Sequence, residues 1–177
     1  MIERQVCSWG KIICSYFEGR DTMIKLVVFD IDGVLTNGDV WVDEVGREYK
    51  SYRLTEIDSL NSLKQKGYRI AAITGEDTAI VKVFQRKVKW DAFICGCKDK
   101  RTMLQTLQEQ FGLSADEICY IGDGKYDAPA IAYAGLGVAP ANAIEAVKCE
   151  ADVTLNGKGG ESCVAELEAL LDVRNKT

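Results

Sequence analysis

Short apolar runs alternate with helix-patterned segments along most of this chain, and that alternation leaves few folds open. The runs IKLVVF (24–29), YRIAAIT (68–74), AFICG (92–96), ICYIG (118–122), LGVAP (136–140) and DVTL (152–155) are each of strand length. Runs of this kind fit strands buried on both faces. Between them, Leu60 and Leu63 sit at helical spacing in a segment that stops at Gly67. Further helices are expected over about 78–89, 100–111 with closure at Gly112, and about 128–134, 143–150 and 162–171. Ser114 and Glu117 have the spacing of a capping box. Strands alternating with helices through short connections predict an α/β fold with a doubly wound parallel sheet. One stretch breaks the pattern: DVWV and REYKSYRL flank the turn-like DEVG and predict a β-hairpin over 39–54. At 177 residues the chain supports a single core, expected over 23–177, with residues 1–22 as an N-terminal extension ahead of Met23.

Composition narrows the chemistry. A net charge of −5 argues against a nucleic-acid or anionic-membrane surface, which needs clustered Lys and Arg. No apolar run approaches the roughly 18 residues of a membrane span, and the first 22 residues carry no targeting pattern. The seven cysteines include no CxxC pair and sit mostly beside apolar residues, as reduced thiols in a cytoplasmic protein would. Cys95 and Cys97, either side of Gly96, are expected to pack at a strand end. The chain has no histidine, which removes Ser-His-Asp and Cys-His catalysis and the commonest zinc ligand. Carboxylates, lysines, hydroxyls, backbone amides and a hard metal remain.

In open parallel sheets, ligands bind beyond the carboxyl ends of the strands. Asp30 and Asp32 follow the first strand, Thr74 and Gly75 the second, Gly96 to Lys100 the third, and Gly122 and Asp123 the fourth. Carboxylates gathered in one place repel unless a cation joins them, and an all-oxygen donor set selects Mg²⁺. Thr74 and Lys100 suit phosphate oxygens. An anion site beside a cation site is what phosphoryl transfer requires, with one aspartate as nucleophile and the other moving protons.

These residues carry a family resemblance. DIDGVLTNG, the Thr of ITGE, the Lys of CKDK and IGDGKYD resemble, in order, the four motifs of the haloacid dehalogenase superfamily of Mg²⁺-dependent phosphatases. GVLTNG, a hairpin in place of a cap domain, VAPANA and GKGGES are similar to its cap-less subfamily of 3-deoxy-octulosonate 8-phosphate and nonulosonate 9-phosphate phosphatases. The resemblance implies a haloacid dehalogenase-like Rossmannoid fold. It implies Asp30 as nucleophile, Asp32 as general acid/base, and Thr74, Gly75 and Lys100 as phosphate-binding residues. Mg²⁺ would be held by Asp30, the Asp32 backbone carbonyl and Asp123, and Asp127 would be an outer carboxylate orienting Lys100 or a metal water. Thr36, Asn37 and Gly38 would line the entrance. It also implies a homotetramer whose hairpins assemble into a barrel, with a neighbour's tail closing each site. Glu76 and Lys87 resemble the nonulosonate enzymes, so a nine-carbon sugar-acid phosphate is the preferred substrate, with the eight-carbon octulosonate 8-phosphate as the alternative.

Several positions depart from the family pattern. Gly124 stands where a second consecutive aspartate is usual, Glu56, Ile57 and Ser59 where an aspartate and two glycines are usual, and Phe84 and Ala165 where arginines are expected. Lys158 or Arg86 is the candidate replacement for the lost positive charge. The P-loop pattern GxxxxGK[ST] is not met by GKGGES. A response-regulator receiver is excluded by the DxD spacing and by Gly96 where its phosphorylated aspartate belongs. The rival from another class is a non-catalytic phosphatase-like oligomerisation domain, against which the retained acids and Lys100 argue.

Overall fold

The computed structural model describes residues 22–175, so the expected extension over 1–22 lies outside the described residues apart from Thr22. Strands β1 (Leu26–Phe29), β4 (Arg69–Ile73), β5 (Ala92–Ile94), β6 (Ile118–Ile121), β7 (Leu136–Ala139) and β8 (Val153–Thr154) form one sheet. Its order is β5-β4-β1-β6-β7-β8 and every pairing is parallel. The helices are α1 (Leu54–Gln65), α2 (Val81–Lys87), α3 (Lys100–Phe111), α4 (Ala128–Ile131), α5 (Glu145–Glu150) and α6 (Cys163–Arg174).

The period of a strand sorts the core into two layers. Val27 and Phe29 join the cluster that holds Leu60 and Leu63 of α1 with Leu167 and Leu171 of α6. Leu26 and Val28 join the opposite cluster, with Leu104 and Leu107 of α3, Ile131 of α4 and Val147 of α5. The sheet is therefore wound on both faces, as the alternation predicts. Each fully buried Leu or Phe contributes about 1.5–3 kcal/mol, which is why β1 reads as continuous apolar sequence. With β4 on one side of β1 and β6 on the other, the crevice lies beyond Phe29.

Boundaries differ from the sequence expectation at four helices, two of which, expected over 78–89 and 143–150, shorten to Val81–Lys87 and Glu145–Glu150. The last helix runs on to Arg174, beyond the expected end at Leu171, and the helix expected over 128–134 stops at Ile131. Helical hydrogen bonds fade beyond it, the last being the Ala134 N–H on the Ala130 carbonyl at 3.0 Å. The capping box at Ser114 and Glu117 is present and opens a 3₁₀ turn.

The hairpin pairs β2 (Trp41–Val42) with β3 (Glu48–Tyr49), and an isolated Thr36–Tyr52 bridge ties down its base. Asp43 shapes the turn: its Oδ1 accepts the N–H groups of Val45 and Arg47 at 3.0 and 2.8 Å. Regular pairing is shorter than the expected 39–54 because the arms lack a sheet to lie on. Trp41 and Val45 are each 68% exposed.

Glu56 joins the first and last helices. It is 1% exposed, and its Oε2 accepts the Val164 N–H at 2.9 Å, satisfying one of the orphan donors in the first turn of α6. Burial pushes this carboxyl above its ordinary range, more than the Val164 hydrogen bond and Arg53 draw it down. The native state then binds the proton more tightly than the unfolded chain, so this contribution to stability is lost as pH rises through the raised value. Glu56→Gln keeps the acceptor, and is expected to hold or raise the thermal midpoint at neutral pH and to flatten its pH slope. Glu56→Ala strands the donor and is expected to cost about 1–3 kcal/mol in denaturant unfolding.

Candidate active site

Asp30 is the residue at which β1 meets the crevice. Its N–H still bonds the Ile121 carbonyl at 2.9 Å, so the ladder carries it, and its Oδ1 accepts the Ile31 N–H at 2.7 Å. The chain then folds back in a tight turn, where the N–H groups of Leu35 and Thr36 bond the Ile31 carbonyl at 2.8 and 3.1 Å. Gly33, at φ +78°, is required inside that turn, because a Cβ there would lie 1.9 Å from Asp123 Oδ2. This contact brings the end of β1 and the end of β6 together.

Lys100 opens α3, the helix end where the macrodipole disfavours a cation. Specific partners outweigh that: its Nζ lies 2.9 Å from Asp30 Oδ1 and 2.6 Å from Asp127 Oδ1. Asp99 accepts the Thr102 N–H at 3.2 Å and caps the same turn. Asp127 is itself held by three donors, since Tyr120 OH reaches Oδ1 at 2.7 Å and the Gly124 N–H reaches Oδ2 at 2.9 Å. Thr74, buried at the end of β4, has its N–H on the Ile94 carbonyl at 3.0 Å, and its Oγ1 accepts the Glu76 N–H at 3.2 Å across Gly75.

One oxygen from each of Asp30, Asp123 and Asp127 lies within 4.8 Å of the other two. Burial first, and the Asp127 charge second, push Asp30 well above the ordinary carboxylate range against the pull of Lys100. The same two causes push Asp123 up to about 6. Burial opposes the Lys100 ammonium, but Asp30 and Asp127 outweigh it and leave its value raised. Charges gathered in this way call for a cation. The donor set fits Mg²⁺, being all carboxylate with no imidazole in the chain. Asp127 already serves three donors, so Asp30 and Asp123 are the carboxylates suited to hold the ion. The Asp32 carboxylate lies outside this group of three, its Oδ2 2.8 Å from Lys50 Nζ and its Oδ1 accepting Thr36 Oγ1 at 3.3 Å.

The remaining expected residues lie around the rim. Asn37 is exposed and its Nδ2 donates to Asp39 at 2.8 Å. Glu76 and Lys87 are exposed, and Lys87 Nζ stands 5.9 Å from the centre of the Tyr52 ring, the residue bridged to Thr36. Lys158 is exposed on a loop docked on the turn after β1, where the Gly160 N–H bonds the Val34 carbonyl at 2.8 Å. Gly159 permits that docking, since a Cβ would lie 1.9 Å from the Gly33 carbonyl oxygen. Asn142 clasps the two, donating to that oxygen at 2.9 Å and accepting the Gly159 N–H at 2.6 Å.

Lys50, Tyr120 and Asn142 were not singled out from the sequence. The signal for Tyr120 was a phenol inside an apolar strand, where a hydroxyl needs a partner; for Asn142 it was its place in VAPANA, and Lys50 gave none. The departures have structural readings. Phe84 is 2% exposed and stacks edge-on with Tyr52, Ile57 is in the core, and Ala165 is exposed. Gly124 supplies its N–H to Asp127.

Comparison with known proteins agrees with this geometry. Residues 40–135 match the family described as haloacid dehalogenase-like hydrolase. The 3-deoxy-D-manno-octulosonate 8-phosphate phosphatase of Haemophilus influenzae is 31% identical over 148 residues, 84% of this chain and 82% of that protein. A solved structure of the Moraxella catarrhalis enzyme of the same name, in complex with magnesium, phosphate and 3-deoxy-octulosonate (KDO), superposes with a TM-score of 0.83 at 29% identity, covering 92% of this chain and 93% of that one. A haloacid dehalogenase superfamily hydrolase from Legionella pneumophila gives 0.86 at 34% identity, covering 94% and 92%.

The raised carboxyls make a test of cation binding. Asp30 and Asp123 hold protons in the native state that the unfolded chain has lost, so without a divalent ion their contribution to stability declines as pH rises, up to about 6 for Asp123. Mg²⁺ must displace those protons, and its gain in thermal midpoint is expected to be larger at neutral than at mildly acidic pH. Asp123→Asn is expected to raise the cation-free midpoint at neutral pH and to remove most of the Mg²⁺ gain, as read by thermal melting. An equal Mg²⁺ gain in both proteins contradicts the assignment.

Proposed function

The chain belongs to the haloacid dehalogenase-like hydrolase family and is a Mg²⁺-using phosphatase, and from that premise we propose that it cleaves a 2-keto-3-deoxy sugar-acid phosphate through an aspartyl-phosphate on Asp30. The observation that carries the reading is the Lys100 ammonium between Asp30 and Asp127, beside Asp123, at the carboxyl edge of the central strand.

In the first step an Asp30 carboxylate oxygen bonds phosphorus, and the ester P–O bond breaks. Its electron pair passes to the leaving oxygen, which takes a proton from the Asp32 carboxyl group. In the second step Asp32 accepts a proton from water as the water oxygen bonds phosphorus. The P–O bond to Asp30 breaks, releasing inorganic phosphate and restoring both aspartates. Lys100, Thr74 and the backbone at Gly75 hold the phosphoryl oxygens, and Asp127 with Tyr120 holds Lys100 in place. Asp30, Asp123 and the Asp32 carbonyl would hold Mg²⁺, which would supply positive charge at the phosphoryl group.

The relatives named as octulosonate 8-phosphate phosphatases favour the eight-carbon ester as substrate. A second reading, a nonulosonate 9-phosphate, rests on Glu76 and on Lys87, which stands above the Tyr52 ring at the base of the hairpin. Thr36, expected at the entrance, is instead fully buried with its Oγ1 bonded to Asp32, so the entrance falls to exposed Asn37, and exposed Lys158 is the candidate cation for the sugar carboxylate. The hairpin exposes Val40, Trp41, Val42, Val45 and Tyr49 together, an apolar surface suited to a homotetramer built through hairpins. Cys119 and Cys163 are buried free thiols, which fit a reducing cytoplasm.

A phosphate-release screen over eight-carbon and nine-carbon sugar-acid phosphates and simple hexose phosphates tests the substrate. A strong preference for one sugar acid is expected, and equal, feeble rates on all would contradict the specificity. Asp30→Ala is expected to abolish release, and a wild-type protein inert on every ester with Mg²⁺ saturating would favour the scaffold reading. Trp41→Asp is expected to dissociate the assembly in sedimentation velocity while the chain stays folded; an unchanged mass would contradict the hairpin interface.

A further inference from the structure

The hairpin reaches the site through one buried cation. Lys50 follows directly on β3, whose Glu48 and Tyr49 are exposed, yet only 7% of its own side chain is exposed. Lysine is rarely buried to this degree without an opposite charge. Here that charge is Asp32, with Nζ 2.8 Å from Oδ2. The other oxygen of Asp32 accepts Thr36 Oγ1 at 3.3 Å, and that hydroxyl oxygen also receives the N–H groups of Gly33 and Gly38 at 3.3 and 3.2 Å. The Asp32 carboxyl group is therefore held from two sides, by the turn after β1 and by the hairpin. Lys100 cannot substitute for Lys50, because its Nζ is engaged between Asp30 and Asp127.

We propose that Lys50 is a positioning residue for proton transfer, fixing the Asp32 carboxyl group where it meets first the leaving oxygen and then the attacking water. The inference rests on the acid/base role given to Asp32 above. In the first step Asp32 gives its proton to the leaving oxygen as the ester P–O bond breaks, and Lys50 gains and loses no bond. Its contribution is orientation, and a proton donor displaced by about 1 Å can cost on the order of 10²-fold in rate. Because Lys50 leaves β3 directly, the placement of the hairpin and the placement of the proton donor are one constraint. A hairpin that only covered the crevice would not need to bury a cation against Asp32.

The test is leaving-group dependence, because an acidic phenol departs without a proton and a weakly acidic one does not. Single-turnover phenol release, which reports the first step alone, is measured for Lys50→Met, Lys50→Arg and Asp32→Asn over aryl phosphates from p-nitrophenyl to p-methoxyphenyl. Lys50→Met is expected to lose roughly 10-fold or more on the p-methoxyphenyl ester but only a small factor on the p-nitrophenyl ester. Lys50→Arg, which keeps the charge, is expected to recover most of the difference. The ratio of the two rates in one preparation does not depend on how much of the protein is folded. Equal losses on both esters, or none, would overturn the role of Lys50. If Asp32→Asn discriminates between the esters and Lys50→Met does not, Lys50 alone is wrong. If Asp32→Asn does not discriminate either, the acid/base assignment of Asp32 falls and the inference with it.

Discussion

The ion pair of Lys100 with Asp30 and Asp127 is the interaction on which the rest of the site depends. Three carboxylates within 4.8 Å of one another would otherwise repel in a poorly solvated crevice, and burying them costs several kcal/mol each unless they are paired. Lys100 supplies one fixed positive charge from the start of α3, against the helix dipole. Tyr120 and the Gly124 N–H complete the coordination of Asp127, leaving Asp30 and Asp123 for a divalent ion. The sheet order makes this possible by placing β1 between β4 and β6.

Most of that arrangement was legible in the sequence, and the reason is local. Each functional side chain of the cluster sits within a few residues of the end of a strand, and the strands announce themselves as apolar runs. Once parallel order is inferred, their ends must share an edge. The opposition between Lys100 and the dipole was itself a signal, since a cation placed against local preference marks a position chosen for something else. Hydrogen bonds between distant segments were not legible. Lys50 lies 18 residues from Asp32, and Asn142 lies 109 residues from Gly33, in stretches whose composition gives no hint of their partners. The short pairing of the hairpin strands was not legible, because nothing in their own residues says that the arms have no sheet to lie on.

The departures from the family pattern fall into two physical groups. At Phe84 and Ile57 an apolar side chain packs in the core and offers no polar group to a ligand. At Gly124 the backbone N–H holds Asp127, which keeps the Lys100 network intact without a second aspartate. The Lys100 network at the carboxyl edge of the sheet is thus complete, while the surface around it carries exposed lysines and an exposed apolar hairpin. The same chain surface that would bind a neighbouring subunit leads, through Lys50, to Asp32, the proton donor we propose.

The central claim is that Asp30 is covalently phosphorylated in a cation-dependent first step. The most direct measurement is rapid acid quenching of the protein with substrate carrying radiolabelled phosphate, followed by peptide mapping. The account predicts label on the peptide containing Asp30, formed with Mg²⁺ and absent when the ion is chelated. Label on another residue, or turnover with no covalent label at any quench time, would contradict it.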